Sequence, residues 1–186
     1  MSEGPYVSIL AGDVGLRTAR FELWPLAGPD AADLLDEFSD AEVVRYMDIE
    51  AHDDIAQAQA VIEWTQTIRA EGDGIRWAIR EREGRAFVGT CGFNNLVWDR
   101  GCRGEIGYDV RRELWGQRVM DEVLPAVLQF GFFRLGLRRI EAMVTPGNDP
   151  SCALLERHGF AREGLLREYG FWKDAFWDQI VYARLG

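Results

Sequence analysis

Some stretches of the chain alternate apolar and polar residues at every second position, and others repeat apolar residues every three to four. Between Glu105 and Val110 the strand formers Ile106, Tyr108 and Val110 alternate with Gly107 and Asp109, which predicts a strand. From Val119 the apolar positions fall at Val119, Val123 and Val127 and at Met120, Leu124 and Leu128, so the period predicts a helix running to about Leu135. A basic turn ending in Trp115-Gly116 joins the two. Pro125 lies in the first helical turn if the helix starts near Asp121, and predicts a kink if it starts near Arg118.

The same reading covers the remaining chain. Leu16 to Leu26 predicts a strand closed by Pro25, and Asp30 caps a short helix carrying Leu34, Leu35 and Phe38. Ser39-Asp40 opens a further helical turn through Met47. A longer helix follows His52-Asp53-Asp54, with Ile55, Ala58, Val61, Ile62 and Thr65 on one side, and ends in Glu71-Gly72-Asp73-Gly74. Arg76–Glu81, Ala86–Asn94 (extended by Leu96-Val97-Trp98) and Glu105–Val110 form an antiparallel meander, turning at Glu83-Gly84 and at Asp99-Arg100-Gly101. Arg139–Thr145 is a strand, and Ser151–His158 a short helix stopped by Gly159. Gly164–Tyr169 and Phe176–Leu185 are two closing strands around Gly170 to Ala175. Hairpins mixed with helical crossovers predict one α+β domain over residues 16–186, on a mostly antiparallel sheet, behind an N-terminal arm at 1–15.

Composition narrows the chemistry. With 186 residues, 47% hydrophobic and 28% charged, the chain suits one soluble domain with a sizeable core. A net charge of −10 opposes a broad nucleic-acid surface and is compatible with a cationic substrate. No apolar run approaches a membrane span, and the first ten residues lack the basic start and apolar core of a secretion signal, so a cytoplasmic location is expected. Cys91, Cys102 and Cys152 form no C-x-x-C pair, and His52 and His158 are the only histidines, so no metal is expected.

The junction at 105–122 is the first candidate for binding. A helix N-terminus presents free backbone N–H groups and the positive end of its dipole, which suits an anion, and Arg111, Arg112 and Arg118 add charge nearby. The residues alone leave that anion unnamed.

Three stretches narrow it. They are L-R-T-A-R-F-E-L-W-P-L at 16–26 with S-D-A-E-V-V-R-Y-M at 39–47, and E-I-G-Y-D-V at 105–110 with W-G-Q-R-V-M-D-E-V-L at 115–124. The third is N-D-P-S-C-A-L-L-E-R-H-G-F at 148–160, followed by R-E-G-L-L-R-E and, at the end, D-Q-I-V-Y-A-R-L. In this order, and across nearly the whole chain, they resemble the GNAT N-acetyltransferase superfamily, in its RimJ/RimL-like branch. The resemblance implies a three-layer α/β/α fold whose sheet, of about seven strands, splays between the fourth and fifth. It implies acetyl-CoA as co-substrate, with the pantetheine arm along Tyr108, Asp109 and Val110 and the diphosphate on the turn Trp115, Gly116, Gln117, Arg118, Val119 and Met120. Asn148 carries over as a cofactor contact. One departure stands out, because the branch commonly reads W-G-x-G-y-[AM] and Arg118 occupies its second glycine position here. Arg118 either points outward with the backbone path kept, or intrudes and weakens cofactor binding, or supplies a charge-assisted bond to phosphate; retained binding is the expectation.

The same resemblance orders the catalytic candidates. Acetyl transfer needs a base for the amine proton, an oxyanion site and an acid for the leaving thiolate. Glu105 is the first candidate base, ahead of Glu163 and Glu168, and Ser151 is the candidate acid, also readable as a helix N-cap. Leu155 takes the place of the tyrosine acid found in many members. A backbone N–H of Gly107 to Val110 is the candidate oxyanion donor. Cys152 reads as a small core residue and His158 as structural; Trp24, Trp64 and Trp98 read as packing. The expected acceptor is a primary amine, either a protein N-terminus of ribosomal-protein type or a small amine, by direct transfer. The alternatives are a non-catalytic acyl-CoA-binding module and a longer-chain acyltransferase with room near Cys91, Phe93 and Met143. The aromatic C-terminal region, with Phe171, Trp172, Phe176 and Trp177, is a candidate acceptor wall or homodimer surface.

Overall fold

The computed structural model describes residues 5–99 and 101–186; Arg100, placed in a turn by the sequence, and residues 1–4 of the expected arm lie outside them. The described part of that arm holds a helix, α1 (Pro5–Ala11), and Tyr6, Leu10 and Val14 are buried in the larger core.

The stretch 16–26 is two strands rather than one. β1 (Leu16–Arg17) and β2 (Phe21–Pro25) pair antiparallel across a turn in which Thr18 N–H reaches Phe21 O at 2.8 Å and Phe21 N–H reaches Thr18 Oγ1 at 3.0 Å. Helix α2 (Ala31–Phe38) follows, but the Asp30 side chain does not cap it. Asp30 Oδ2 instead accepts from the Ala27 N–H at 2.9 Å, and Oδ1 takes the Arg80 guanidinium at 2.6 Å. The helical turn expected after Ser39-Asp40 is a run of non-helical turns. Helix α3 (Ile55–Glu71) starts at Asp54, whose carboxylate accepts from the Ala56 N–H at 2.9 Å, and stops at Gly72 in the left-handed region (φ 84°).

The meander forms as its turns predict, with β3 (Ile75–Glu81), β4 (Phe87–Val97) and β5 (Arg103–Val110) antiparallel in sequence. Helix α4 (Val119–Gln129) crosses over to β6 (Arg139–Val144), with a wider helical turn at 130–134 between them. Because α4 starts at Val119, Pro125 is interior to it and leaves the Asp121 carbonyl without its usual donor. Then come α5 (Asp149–Arg157) and a long hairpin, β7 (Ala161–Trp172) and β8 (Ala175–Leu185), closed by Lys173-Asp174 with both residues at positive φ. These strands are longer than the sequence suggests, and Gly170 lies within β7 rather than in the turn.

Among the described residues the sheet has eight strands in the order β1-β2-β3-β4-β5-β6-β8-β7, one more than expected because the first strand divides. Alternation along β3 sorts its two faces. Ile75, Trp77 and Ile79 join the α4 residues Val123, Leu124 and Val127 in one core, while Ala78 joins Leu34, Phe38, Ala58 and Ile62 from α2 and α3 in the other. Among the described residues no helix is long and apolar enough to cross a membrane.

Among the described residues only the β5–β6 pairing is parallel, and it is short: Arg103, Gly104 and Glu105 pair with Arg139, Ile140 and Glu141. Past Glu105 the two strands part. β5 continues along β4, and β6 along β8. Opposite the parting point β4 carries an extra residue, Asn94, between the pairs Phe93–Ile106 and Asn95–Glu105. A bulge bends and twists its strand, so the splay has a local cause.

Candidate active site

The parted strands open a cleft of about 1910 Å³. One side is the β5 backbone from Ile106 to Val110, which has no strand partner on its β6 side among the described residues. Beyond Val110 a short helical turn (Arg112–Leu114) leads to Trp115, whose indole N–H donates back to Val110 O at 2.7 Å. Gly116 (φ 75°) and Arg118 (φ 56°) are both left-handed, and α4 begins directly after them. Gly116, Arg118, Val119 and Met120 all border the cleft. The first amides of a helix have no partner within it, so Val119 and Met120 bring N–H groups to this end of the cleft.

Charge around the turn is sorted by pairing. Two acids sit in the first turn of α4, where they would repel an anion. Asp121 is held by Arg157 at 3.0 and 3.2 Å and by His158 at 3.3 Å, and the Arg157 bond leads the causes that lower its pKa. Glu122 is held by Arg20 at 2.7 Å; burial works to raise its pKa, but bonds from Thr18 and Arg20 outweigh it and the net direction is down. Arg111 and Arg112, expected to serve an anion, are spent elsewhere: Arg111 pairs closely with Asp36, and Arg112 lies 3.6 Å from Asp40. Of the three arginines suggested by the sequence, Arg118 borders the cleft.

At the parting point Glu105 also borders the cleft. Burial raises its pKa, and the carboxylates of Glu141 and Asp48 push in the same direction. Further along β5, on the opposite face, the Tyr108 hydroxyl lies 2.7 Å from Ser151 Oγ. Burial pushes the Tyr108 phenol upward, so it stays protonated at neutral pH. Ser151 is inside the first turn of α5 rather than its cap; the cap is Asn148, whose Oδ1 accepts from the Ser151 N–H at 3.3 Å.

The sequence profile described as "Acetyltransferase (GNAT) domain" matches residues 20–161. An uncharacterized N-acetyltransferase of Bacillus licheniformis is 38% identical over 170 residues, spanning 91% of this chain and 95% of that relative. The chain belongs to the GNAT acetyltransferase family. The fold of this N-acetyltransferase is also that of two solved structures. RimJ of Mycobacterium smegmatis in complex with CoA-disulfide superposes with a TM-score of 0.82 at 24% identity, covering 92% of this chain and 86% of that one. The ribosomal-protein-S5-alanine acetyltransferase of Vibrio fischeri superposes at 0.81 with 18% identity, covering 93% and 97%.

Within this acetyltransferase the residues singled out from sequence divide clearly. Glu105, Tyr108, Asp109, Val110, Trp115, Gly116, Arg118, Val119, Met120, Asn148 and Ser151 border one cleft. The Asp109 side chain, however, is turned away from it into a buried network: Oδ1 accepts from the Thr90 N–H at 2.8 Å, and Oδ2 takes the Thr90 hydroxyl at 2.7 Å and the Arg76 guanidinium. Its backbone carbonyl faces Gly89 of β4, so the open edge is formed by the backbone of its neighbours Tyr108 and Val110. Gln117 donates through its side chain to Glu113 O at 3.0 Å. Glu163 is tied to Arg139 as a surface ion pair. Cys91 and Phe93 are wholly buried in the core, and burial pushes the Cys91 thiol up to about 12. Met143 alone of that trio borders the cleft. Trp24, Trp64 and Trp98, expected in packing, are each 43% exposed.

Sequence reasoning did not find Asp48, Tyr46 or the Tyr108–Ser151 contact. Tyr46 lies in the turns after Ser39, read as helix through Met47, and Asp48 directly beyond that reading, and no local pattern signals that this segment forms a cleft wall. The Tyr108–Ser151 contact spans 43 residues.

Proposed function

We propose that this enzyme transfers an acetyl group from acetyl-CoA to the primary amine of a cationic acceptor, a peptide N-terminus or a small amine, by direct transfer. The observation that carries this reading is the continuous path formed by the open edge of β5 and the left-handed turn at the start of α4. The first offers backbone groups to an amide-bearing arm, and the second offers N–H groups to a diphosphate. Tyr108 to Val110 would hold the arm through the backbone, and Gly116 to Met120 the diphosphate. Bound there, acetyl-CoA supplies an activated thioester.

The chain's own groups supply the proton chemistry. Glu105 accepts the proton that the acceptor ammonium must lose, directly or through water, and its raised pKa suits it to hold that proton. Ser151 gives its hydroxyl proton to the departing thiolate and takes one through Tyr108, 2.7 Å away, which recovers its own from solvent before the next turnover. A backbone N–H on the Gly107–Val110 segment faces the developing oxyanion. An acceptor with positive charge is favoured by Asp48 and Glu105 on the cleft walls and by the overall charge of −10. The ribosomal-protein acetyltransferase fold supports a peptide acceptor.

Calorimetric titration with CoA, combined with thiol release from acetyl-CoA across basic peptides and small amines, tests this reading. Binding with acceptor-dependent thiol release is expected. Binding without release for any amine would make the protein an acyl-CoA-binding module instead, and no binding at millimolar CoA would overturn the reading.

A further inference from the structure

We infer that Arg20, in the β1–β2 turn, is a positioning residue that holds the α4-entry turn in its anion-binding shape and so replaces the glycine that Arg118 displaces. The inference rests on the proposal that this turn takes the diphosphate of CoA.

The left-handed conformation at residue 118 (φ 56°) suits glycine, which lacks the Cβ that makes it unfavourable for other residues. No side-chain cap holds the helix start here either, because Arg118 occupies the N-cap position and makes no capping bond. Something outside the turn must therefore hold its backbone. Arg20 does so from 97 to 102 positions away in sequence. Its guanidinium donates to Gln117 O at 3.4 and 3.3 Å and to Arg118 O at 3.2 Å. Its Nε and its own backbone N–H each reach the Glu122 carboxylate at 2.7 Å.

The consequence follows from peptide planarity. In a trans peptide the C=O of one residue and the N–H of the next point in opposite directions. Drawing the carbonyls of Gln117 and Arg118 toward Arg20 therefore aims the N–H groups of Arg118 and Val119 the other way, toward the cleft that both residues border. Arg20 is itself fixed. Thr18 and Phe21 close its turn reciprocally, and its carbonyl accepts from the Arg82 N–H at 2.8 Å. An exposed Arg–Glu pair alone contributes little. The fork onto two carbonyls gives Arg20 its effect on the turn, and a lysine cannot reproduce that geometry.

The test is a double-mutant cycle read by calorimetry with CoA as the probe. Arg20→Ala and Arg20→Lys should each weaken CoA binding by about tenfold or more, as expected for lost charge-assisted bonds, with little change in melting temperature. In an Arg118→Gly background, where the left-handed turn needs no enforcement, removing Arg20 should cost under about threefold, so the two sites are coupled. Hydrogen exchange at the Glu122 and Val123 amides, the first to be bonded within α4, should accelerate in Arg20→Ala of the free protein and not in the sheet. Equal CoA affinity for the unaltered protein and Arg20→Ala, or the same loss in both backgrounds, overturns this inference alone. No CoA binding by the unaltered protein overturns the cofactor reading and this inference with it.

Discussion

Glu105 and Glu37 are both carboxyls whose pKa is raised by burial, and they lead to opposite expectations. Glu105 borders the cleft, and a base must be deprotonated to accept a proton. Turnover should therefore climb with pH through a value above the ordinary glutamate range and then level. Glu105→Gln should remove that limb and lower kcat by about 100-fold while leaving CoA affinity unchanged. A limb that survives the substitution would place the base elsewhere. Ser151→Ala should slow thiol release strongly, and Tyr108→Phe, which leaves the serine in place, less so. Glu37, on α2, is buried; desolvation leads the causes that raise its pKa, and the nearby Asp109 carboxylate adds to the upward push. Its folded pKa lies above its unfolded one, so its contribution to stability is complete below the unfolded pKa and is lost as pH rises through the folded pKa. Glu37→Gln cannot ionise and can donate to Asp109, so it should raise the melting temperature at neutral and alkaline pH and change little in acid. An equal shift at every pH would show that the effect is packing and not ionisation.

The elements that the sequence revealed most directly are those whose signals are local. The change of period at Val119 marks the strand-turn-helix junction, and Gly72 and Gly159 mark helix ends because a left-handed residue is needed there. The elements misread are those fixed by distant partners. Asp30 reads as a cap, yet Arg80 and the Ala27 N–H claim its carboxylate. Arg111 and Arg112 read as anion ligands, yet acids of α2 and the following turn hold them. Gly170 reads as the hairpin turn, yet Lys173-Asp174 makes it, and β7 spends extra residues in a bulge where the Glu168 N–H bonds Asp178 at 2.8 Å. Asn148 carries over from the resemblance as a cofactor contact, and in the structure it borders the cleft and also caps α5 beneath Ser151. Asn148→Ala should cost about 1 kcal/mol of stability, measured by urea unfolding. It should also impair thiol release beyond that loss, because the turn carrying the Ser151 hydroxyl loosens. Asn148→Asp, which keeps the cap, should restore both.

Across the whole molecule the cleft depends on two segments that no local pattern links. One wall is the turn region holding Tyr46, Met47 and Asp48; the other is the hairpin with Tyr169, Phe171 and Trp172. They are joined by the chain's one lysine. Lys173, at the hairpin tip, donates from Nζ to Val44 O at 2.7 Å and Arg45 O at 3.4 Å. A second tie runs inside the first, from Gln179 Nε2 to Thr145 Oγ1 at 2.9 Å and from Thr145 to Tyr46 O at 3.0 Å. Residues 41–49 have no helix or strand of their own, so these bonds set where the Asp48 carboxylate stands relative to Glu105. Lys173→Met keeps the stem and removes the charged donor. It should speed hydrogen exchange over residues 44–49 and raise the acceptor KM by about tenfold, the scale of a bond to a charged donor. The KM for acetyl-CoA and exchange in β3 and β4 should stay as they were, because the cofactor turn lies at the other end of the cleft. Lys173→Arg, which can still reach the two carbonyls, should recover most of the loss. Unchanged exchange at 44–49 in the methionine variant would mean that the Thr145 tie alone holds the wall.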